Sequence, residues 1–377
     1  MMKKIFAAFL AALAVCANAF CVKAEGYSAV LAEAGSGTIL IDEHGGKKYP
    51  CGSLSKLMTV LIAAEEINSG NIMLQDTVTA SEHANSMQGA QIWLMPGDKI
   101  TVEELLKGII IGNANDAACA LGEYIGGSEE NFTAMMNRRA NELGMSDTVY
   151  KNASGYLSDG DCTTAADTAK LLCRLSRCKN LTGIFTQRME YICDGQVQLV
   201  TSNPKGVKYN GSLGFKTSFW EKENKERVYF SAEGAERDGD IYVSAVLGGN
   251  SEDETAEKAF SLIDRGFAEY ETVIPEVPAE LPRKLRVRGG ITAEIRISAE
   301  NAGKVVVSKG SSDSIKCRTA LPDYTYAPVK KGDTVGELLY FYNDRHIYTG
   351  QITASAASEV KDIKYCMVKM LKNLLKF

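Results

Sequence analysis

The stretch Pro50-Cys51-Gly52-Ser53-Leu54-Ser55-Lys56-Leu57-Met58-Thr59 says most about the fold and chemistry of this chain. A serine is followed three residues later by a lysine, at the start of an apolar run. Apolar residues recur there at spacings of three and four, which predicts a buried helix. Residues i and i+3 share one face of a helix. We therefore expect the Lys56 amine to lie beside the Ser53 hydroxyl.

This pair suggests a nucleophile and its base. A serine hydroxyl is a weak nucleophile until a neighbouring base takes its proton. A lysine serves as that base only when it is deprotonated, and burial or a second cation brings this about. The pair therefore predicts another basic residue close in space. An alternative needs no catalysis: Ser53 caps the start of the helix and Lys56 is an ordinary exposed lysine.

Length and composition predict an exported protein with two domains. The chain has 377 residues, more than one small domain needs. Two lysines, an apolar core and then small residues predict a secretory signal peptide over residues 1–24, with cleavage after Ala19 or Ala24. Cleavage after Ala24 removes three lysines and no acidic residue, which takes the formal charge from −5 to −8. An acidic protein is a poor candidate for binding nucleic acid.

The periodicity of residues 25–272 predicts an α+β domain. A strand at Thr38–Ile41 precedes the Ser53 helix, and strands return near the end of this region. Predicted helices lie at Val102–Ile111, Ala114–Ile125, Glu130–Leu143, Thr163–Ser176 and Thr255–Tyr270, and predicted antiparallel strands at Gly214–Trp220, Arg227–Ala232 and Asp240–Leu247. This order predicts one antiparallel sheet shared by N- and C-terminal strands, with a helical lobe beside it.

Residues 273–358 are predicted to form a small all-β domain after a proline-rich linker. The final segment, residues 359–377, has a different pattern. Apolar residues recur at spacings of four and three, and lysines lie mostly on the opposite face, which predicts a basic amphipathic helix lying on an anionic membrane surface. The alternative is an ordinary helix docked on the β domain. The apolar positions are Ile363, Met367, Met370, Leu374 and Phe377.

Histidine is too scarce for several common kinds of site. The chain has three, His44, His83 and His346, and none has a triad-like or ligand-like neighbour in sequence. A Ser-His-Asp enzyme and a histidine-ligated metal site are therefore not expected. We expect no metal and no cofactor.

Two further stretches provide partners for the serine–lysine pair. The predicted second cation is Lys216, on a strand whose Lys-Thr sequence suits the edge of a peptide-binding groove. Asn113 and Asn115 lie at the break between two predicted helices, where the Asn115 amide could contact both substrate and Lys56. The alternatives are helix capping for the asparagines and a surface position for Lys216. Asp116 is expected to be a structural cap.

These stretches, in this order, resemble the penicilloyl-serine transferase superfamily, and most closely its serine D-alanyl-D-alanine carboxypeptidases, the low-molecular-weight penicillin-binding proteins. The resembling sequences are Ser53–Thr59, Asn115–Ala118 and Gly214–Thr217, supported by Gly37–Leu40 and Pro96–Leu106. A late segment, Pro328–Gly336, resembles the β-rich C-terminal domain of that family. The resemblance implies a β-lactamase/transpeptidase-like domain, export, and a place on the outer face of the bacterial cytoplasmic membrane.

The resemblance also implies a reaction. Ser53 attacks the D-Ala-D-Ala bond of a peptidoglycan stem peptide, with Lys56 as general base and Asn115 as a third catalytic residue. Hydrolysis of the acyl-enzyme releases the terminal D-Ala. Penicillin and other β-lactams would acylate the same serine.

The substrate-binding residues implied by the resemblance lie mainly on the Lys216 strand. Lys216 and Thr217 would hold the substrate carboxylate, and Asn113 and Ser218 would line the groove. The backbone N–H groups of the nucleophile and of Phe219 would hold the oxyanion.

Four positions depart from the family pattern. Asn113 replaces a serine, Ser218 replaces a glycine, and Ser154 replaces a histidine. A basic residue expected after the third strand corresponds to Thr255. These changes motivate an alternative, a catalytically weak homologue that acts as a cell-wall binding or scaffold protein. A β-lactamase is a third alternative, and endopeptidase action is not separable from carboxypeptidase action by sequence.

Overall fold

The computed structural model describes residues 26–156, 159–221 and 224–374. The predicted signal peptide, residues 1–24, lies outside them. The chain divides into two units, of which the first ends at Ala268 and the second begins at Glu269. Each unit has an apolar core of its own.

A five-stranded antiparallel sheet runs through the first unit. In spatial order its strands are β2 (Thr38–Glu43), β1 (Ser28–Glu33), β11 (Asp240–Gly249), β10 (Arg227–Arg237) and β9 (Lys216–Glu221). Every residue of this inner strand, β1, is buried. β9 lies at one edge of the sheet, so one side of its backbone has no strand partner among the described residues. The prediction that N- and C-terminal strands share one sheet is confirmed.

Helices surround this sheet. They are α1 (Ser55–Asn68), α2 (Glu82–Ser86), α3 (Val102–Ile110), α4 (Asn115–Gly126), α5 (Glu129–Glu142), α6 (Ala165–Leu175), α7 (Thr182–Phe185) and α8 (Glu252–Glu269). α6 packs on β1 and β11, while α1 packs against α3, α4, α5 and α6. α1 is therefore a central helix, and its first ten residues are all buried.

The predicted break between α3 and α4 is confirmed, and it positions the asparagine pair. Thr101 and Glu104 form a capping box that starts α3. The chain leaves that helix at Gly112, and Asn113 adopts a left-handed backbone conformation, with φ of 57°. Asparagine tolerates this region better than most residues do. Helix α4 then begins at Asn115.

Three short antiparallel strand pairs connect these elements. They are β3 (Lys48–Tyr49) with β6 (Thr163–Thr164), β4 (Thr77–Thr79) with β5 (Lys99–Thr101), and β7 (Met189–Ile192) with β8 (Val197–Val200).

The second unit contains two sheets, which confirms the predicted all-β C-terminal domain. β12 (Tyr270–Val273) pairs with β15 (Val305–Ser308). The other sheet has, in spatial order, β16 (Lys316–Ala320), β18 (Thr334–Tyr342), β19 (Arg345–Ala354), β14 (Glu294–Ala299), β13 (Lys284–Arg288) and β17 (Tyr324–Tyr326). Buried and exposed residues alternate along β13 and β14, as in a sheet with one face on a core. The sequence analysis missed β16 and β17, which lack such alternation.

Helix α9 (Ile363–Leu374) ends the described chain. Its large apolar side chains are exposed, from 80% at Ile363 to 44% at Val368. Phe377, which belongs to the predicted amphipathic pattern, lies outside the described residues. In the part of the chain that the structure describes, no helix has the length and apolar content that crossing a membrane requires.

Candidate active site

Ser53 and Lys56 lie on one continuous helical segment. Ser53 occupies a 3₁₀ turn, Gly52–Leu54, that runs directly into α1. The N-cap of the turn is Cys51 and that of α1 is Leu54, and neither element has a side-chain cap. The alternative in which Ser53 is a helix cap is therefore wrong. Lys56 is 1% exposed, so the exposed-lysine alternative is wrong as well.

The Lys56 amine is held by two acceptors. Nζ donates to Asn115 Oδ1 at 2.5 Å and to the backbone oxygen of Ser154 at 2.9 Å. Burial lowers the pKa of Lys56 well below its usual value, the charge of Lys216 lowers this pKa further, and Asp116 opposes both. A neutral amine has two N–H groups, and these two acceptors use both, so its lone pair remains for a proton. Burial and a second cation, the two effects that the sequence analysis invoked, thus both lower the pKa of Lys56.

No hydrogen bond joins Lys56 Nζ to Ser53 Oγ among the described residues. Hydrogen bonds of this kind are often long in a free enzyme and tighten when substrate binds. The two groups lie three residues apart on one helical segment.

The asparagine pair lines the cavity beside this amine. Asn115 Nδ2 donates to the backbone oxygen of Gln88 at 2.5 Å, and Asn115 Oδ1 accepts from Lys56 Nζ. Helix α4 has Ala114 as its N-cap and no side-chain cap, so helix capping by Asn113 or Asn115 is wrong. Asn113 Oδ1 is buried and has no hydrogen-bond partner among the described residues.

Asp116 has a structural position, as expected. It is 0% exposed and accepts the backbone N–H groups of Ile92 and Leu94, each at 3.1 Å. It also accepts the Ala117 N–H in the first turn of its own helix at 2.8 Å. The carboxylate thus holds the loop that faces α4.

Strand β9 carries the other predicted site residues. Lys216 is 3% exposed, which excludes the surface alternative, and burial lowers its pKa to about 7. Thr217 Oγ1 donates to the backbone oxygen of Ser202 at 2.8 Å, and Glu252 Oε1, at 3.4 Å, is the alternative acceptor of the same proton. Ser218 Oγ is buried without a partner among the described residues. Phe219 is exposed, and the Arg227 guanidinium lies 4.3 Å from the centre of its ring.

A cavity of about 880 Å³ brings these residues together. Its wall includes Ser53, Asn113, Asn115, Thr217, Ser218 and Phe219. Lys56 and Lys216 are buried behind this wall, and Lys56 reaches it through the hydrogen bond to Asn115. Eight residues predicted from sequence therefore form one site.

The sequence analysis missed the part played by the turn at Ser154. Its carbonyl accepts from Lys56, and the Asn152 carboxamide oxygen accepts the N–H groups of Ser154 and Gly155 at 3.2 and 2.6 Å. Gly155 has φ of 71°, and a Cβ added there would lie 1.7 Å from the Gly52 oxygen. Only glycine allows this turn to pack on the nucleophile's turn.

Acidic residues also line the cavity, and the sequence analysis did not identify them. They are Asp159, Asp161, Glu221 and Glu252. Thr255, which stands where the family has a basic residue, does not line the cavity; it is 2% exposed and its hydroxyl donates to the Ser251 oxygen. Helix α8 contributes Glu252 to the wall instead. The sequence shows that the first turn of α8 is acidic, but it does not show which of its side chains face the cavity.

Comparison with known proteins places this geometry in a family. The family model described as "D-alanyl-D-alanine carboxypeptidase" matches residues 15–238, and that described as "Penicillin-binding protein 5, C-terminal domain" matches residues 275–362. D-alanyl-D-alanine carboxypeptidase DacF of Bacillus subtilis (strain 168) is 32% identical over 319 residues, which are 84% of this chain and 81% of the relative. DacC of Escherichia coli (strain K12) is 29% identical over 329 residues, 84% and 80% of the two chains.

Solved structures share the fold of this chain. Penicillin binding protein 5 from Haemophilus influenzae matches with a TM-score of 0.76 at 22% identity, over 90% of this chain and 99% of that one. Penicillin-Binding Protein D2 from Listeria monocytogenes, solved in an ampicillin-bound form, matches with a TM-score of 0.55 at 25% identity, over 63% of this chain and 95% of that one.

Proposed function

This chain belongs to the D-alanyl-D-alanine carboxypeptidase family, and on that premise we propose that Ser53 is its nucleophile and Lys56 its general base. Its function is that of a penicillin-binding serine hydrolase that removes the terminal D-Ala from peptidoglycan stem peptides. One observation carries the choice of residues. The Lys56 amine is buried, its pKa is strongly lowered, and Asn115 joins it to the cavity that Ser53 lines.

The proposed reaction has two steps. Ser53 Oγ attacks the carbonyl carbon of the D-Ala-D-Ala bond while its proton passes to the neutral Lys56 amine. The C–N bond then breaks, and the lysine returns the proton to the departing D-Ala amine. Water, deprotonated by the same amine, hydrolyses the ester on Ser53. A β-lactam would form the same ester, with the opened ring still attached.

We propose that substrate lies along β9. A Cβ added to Gly52 would lie 3.7 Å from the Phe219 oxygen, so the nucleophile's turn and the edge strand are adjacent. This supports the N–H groups of Ser53 and Phe219 as oxyanion donors. Asn113 and Ser218 line the same cavity as these groups.

Lys216 and Thr217 are proposed to hold the substrate carboxylate. Lys216 has a pKa of about 7, so both its protonated and neutral forms are populated near neutral pH. Its cationic form attracts a carboxylate and, at the same time, favours the neutral form of Lys56. The edge-strand backbone would bind the peptide as an added strand does.

The alternative of a scaffold protein is not favoured, because the paired lysines and Asn115 are retained in a formed cavity. Asn113 and Ser218 do not block that cavity; both line it. No observation favours a β-lactamase over a carboxypeptidase.

Labelling with a fluorescent penicillin tests the proposed nucleophile. The protein is labelled, digested and mapped, and D-Ala release from a D-Ala-D-Ala peptide is measured alongside. We expect the label on Ser53, and we expect Ser53→Ala to lose both label and D-Ala release. Ser69→Ala, at the other end of α1, serves as the control and should keep both. A label on another residue, or D-Ala release by Ser53→Ala, would contradict the assignment.

We further propose that the protein acts at the outer face of the cytoplasmic membrane. Its relatives act on the cell wall, which supports an envelope location. Export through residues 1–24 and attachment through residues 359–377 complete this proposal. The exposed apolar side chains of α9 support the attachment. Between these segments we propose a catalytic domain, 25–272, and a β-rich domain, 273–358.

A further inference from the structure

Three side chains of types that can bind a metal lie close together on α2 and α4, and none of them lines the cavity. His83 lies on α2, while Cys119 and Glu123 lie four residues apart on one face of α4. One donor atom from each residue lies within 4.8 Å of the other two. The sequence pattern hides this group because its histidine and its cysteine belong to different helices.

Two of these side chains are already oriented by further polar groups. His83 Nε2 lies 2.7 Å from Glu129 Oε2, so Nδ1 is the nitrogen that remains for a ligand. Ser81 Oγ donates to Glu123 Oε2 at 2.6 Å. In metal sites, a ligating histidine almost always donates its other N–H to a carboxylate or carbonyl, and ligating carboxylates are themselves hydrogen-bonded. This cluster has both features.

The surroundings of the cluster are negatively charged. Among the salt bridges of the described residues, Glu123 forms none and Glu129 pairs with His83 alone. Cys119 is 0% exposed, and Glu129, Glu123 and Asp116 act on it electrostatically. A bound divalent cation would neutralise this charge and hold the sulfur as a thiolate.

We propose that His83, Cys119 and Glu123 form a zinc site. Imidazole, thiolate and carboxylate are the usual zinc ligands, at about 2.0–2.3 Å, which places tetrahedral donor atoms roughly 3–4 Å apart. The His83 side chain is 49% exposed, and a small movement of it would bring the three donor atoms to this spacing. Water would take the fourth position, and Glu129 would remain the hydrogen-bond partner of His83. When zinc binds, the thiol proton leaves to solvent.

Such an ion would connect α2 to the helix that carries Asn115. Asn115 and Cys119 are four residues apart on α4, so they lie on the same side of it. Zinc would therefore hold the helical turn whose first residue accepts the Lys56 hydrogen bond. The protein with zinc should unfold at a higher temperature than the metal-free protein, because a ligand that binds only the folded state stabilises it.

Substitution with Co²⁺ tests the site, because a cysteine thiolate bound to Co²⁺ gives a charge-transfer absorption band. Metal-free protein is titrated with Co²⁺ and then with Zn²⁺. We expect a band that saturates at one equivalent, disappears when one equivalent of Zn²⁺ is added, and is absent in Cys119→Ala. His83→Gln changes an exposed ring and leaves the core intact, and it should weaken Co²⁺ binding by about tenfold or more.

Two matched variants control for adventitious binding. Cys366 is an exposed thiol and His44 an exposed histidine, so Cys366→Ser and His44→Gln should both keep the band. The proposal is overturned if wild type shows no saturable band, if the band survives in Cys119→Ala, or if His83→Gln binds Co²⁺ as tightly as wild type does. The His83→Gln result decides alone if Cys119→Ala does not fold.

Discussion

The lowered pKa of Lys56 results chiefly from the removal of its amine from water. Desolvation disfavours the charged form of a lysine, and a second cation nearby disfavours it further. Both effects act here, since the side chain is 1% exposed and Lys216 lowers its pKa. The two acceptors hold Nζ in place. Because both are uncharged, they do not stabilise the charged form of the amine as a carboxylate would.

Replacing this lysine should remove most of the reactivity of the serine. We expect Lys56→Met to slow penicillin acylation by about 10²–10⁴-fold, the range typical of a general base. The rate is measured by fluorescent-penicillin labelling under single-turnover conditions. Lys99→Met, on the exposed side of β5, is the control and should label at the wild-type rate. A Lys56→Met rate within tenfold of wild type would rule out this base.

Glu252 should weaken the binding of substrates with a free carboxylate. It lines the cavity and accepts from Thr217, which is proposed to bind that carboxylate. Glu252 carries a negative charge like that of the substrate carboxylate, and its exposed position makes the repulsion modest. We therefore expect Glu252→Gln to raise kcat/KM on a D-Ala-D-Ala peptide by about three- to tenfold. The gain should shrink as salt is added.

Glu254→Gln is the matched control for this prediction. Glu254 lies in the same first turn of α8 and carries the same charge, but it does not line the cavity. Equal effects of the two substitutions would assign the gain to net charge rather than to the position of Glu252.

At the scale of the element, strand β10 contains an acid behind the active site. Glu233 is 0% exposed, and Asn203 Nδ2 donates to both of its carboxylate oxygens, at 2.9 and 3.1 Å. These bonds favour the carboxylate, but burial outweighs them and raises the pKa of Glu233 to about 8. Below pH 8 the carboxyl group of Glu233 is therefore mostly neutral, and it links the turn at Asn203 to strand β10.

This acid should make the first unit less stable in alkali. The folded state keeps a proton that the unfolded state releases above pH 4.5, so the contribution of Glu233 is full below that pH and is lost as pH rises toward 8. Glutamine stays neutral throughout. We therefore expect the stability of Glu233→Gln relative to wild type to increase by roughly 2–5 kcal/mol between pH 5 and pH 9.

Urea unfolding followed by tryptophan fluorescence measures this, because both tryptophans, Trp93 and Trp220, lie in the first unit. Glu236→Gln, farther along β10 and paired with Lys179 at the surface, is the control and should change stability by about 1 kcal/mol or less. A difference between Glu233→Gln and wild type that is independent of pH would show that the pKa of this carboxyl is the same in the folded and unfolded states.

At the scale of the whole molecule, the terminal helix should affect location and leave the chemistry unchanged. Deleting residues 363–377 removes the exposed apolar face of α9 and several lysines. Each lysine near an anionic membrane contributes about 1 kcal/mol, and buried apolar area adds to this. We expect vesicle binding to fall by more than tenfold, with penicillin labelling unchanged.

Sedimentation with vesicles of neutral and anionic lipids measures this binding. A variant with Lys369→Gln alone should lose only part of the affinity for anionic vesicles, because the apolar face remains. Undiminished binding of the truncated chain would exclude α9 as the attachment.

Several features could be predicted from sequence because they are local. The i, i+3 spacing of Ser53 and Lys56, the helix break at Gly112–Asn113 and the alternating strands around Lys216 each depend on neighbours within a few residues. Hydrophobic periodicity then defines which faces must be buried. That information was sufficient for the α+β domain, the second β domain and the candidate residues Ser53, Lys56, Asn115 and Lys216. The binding roles of Asn113, Thr217, Ser218 and Phe219 were implied by the family resemblance.

Other features depend on residues that are distant in sequence and were decided by packing alone. Lys56 meets the Ser154 carbonyl across a separation of 98 residues, and this burial is what lowers its pKa. The direction of α8 places Glu252 rather than Thr255 in the wall, and the approach of α2 to α4 creates the His83 cluster. Periodicity shows which face of an element is buried, but only the tertiary structure shows which polar groups meet there, because electrostatic and hydrogen-bonding energies depend on distance through space.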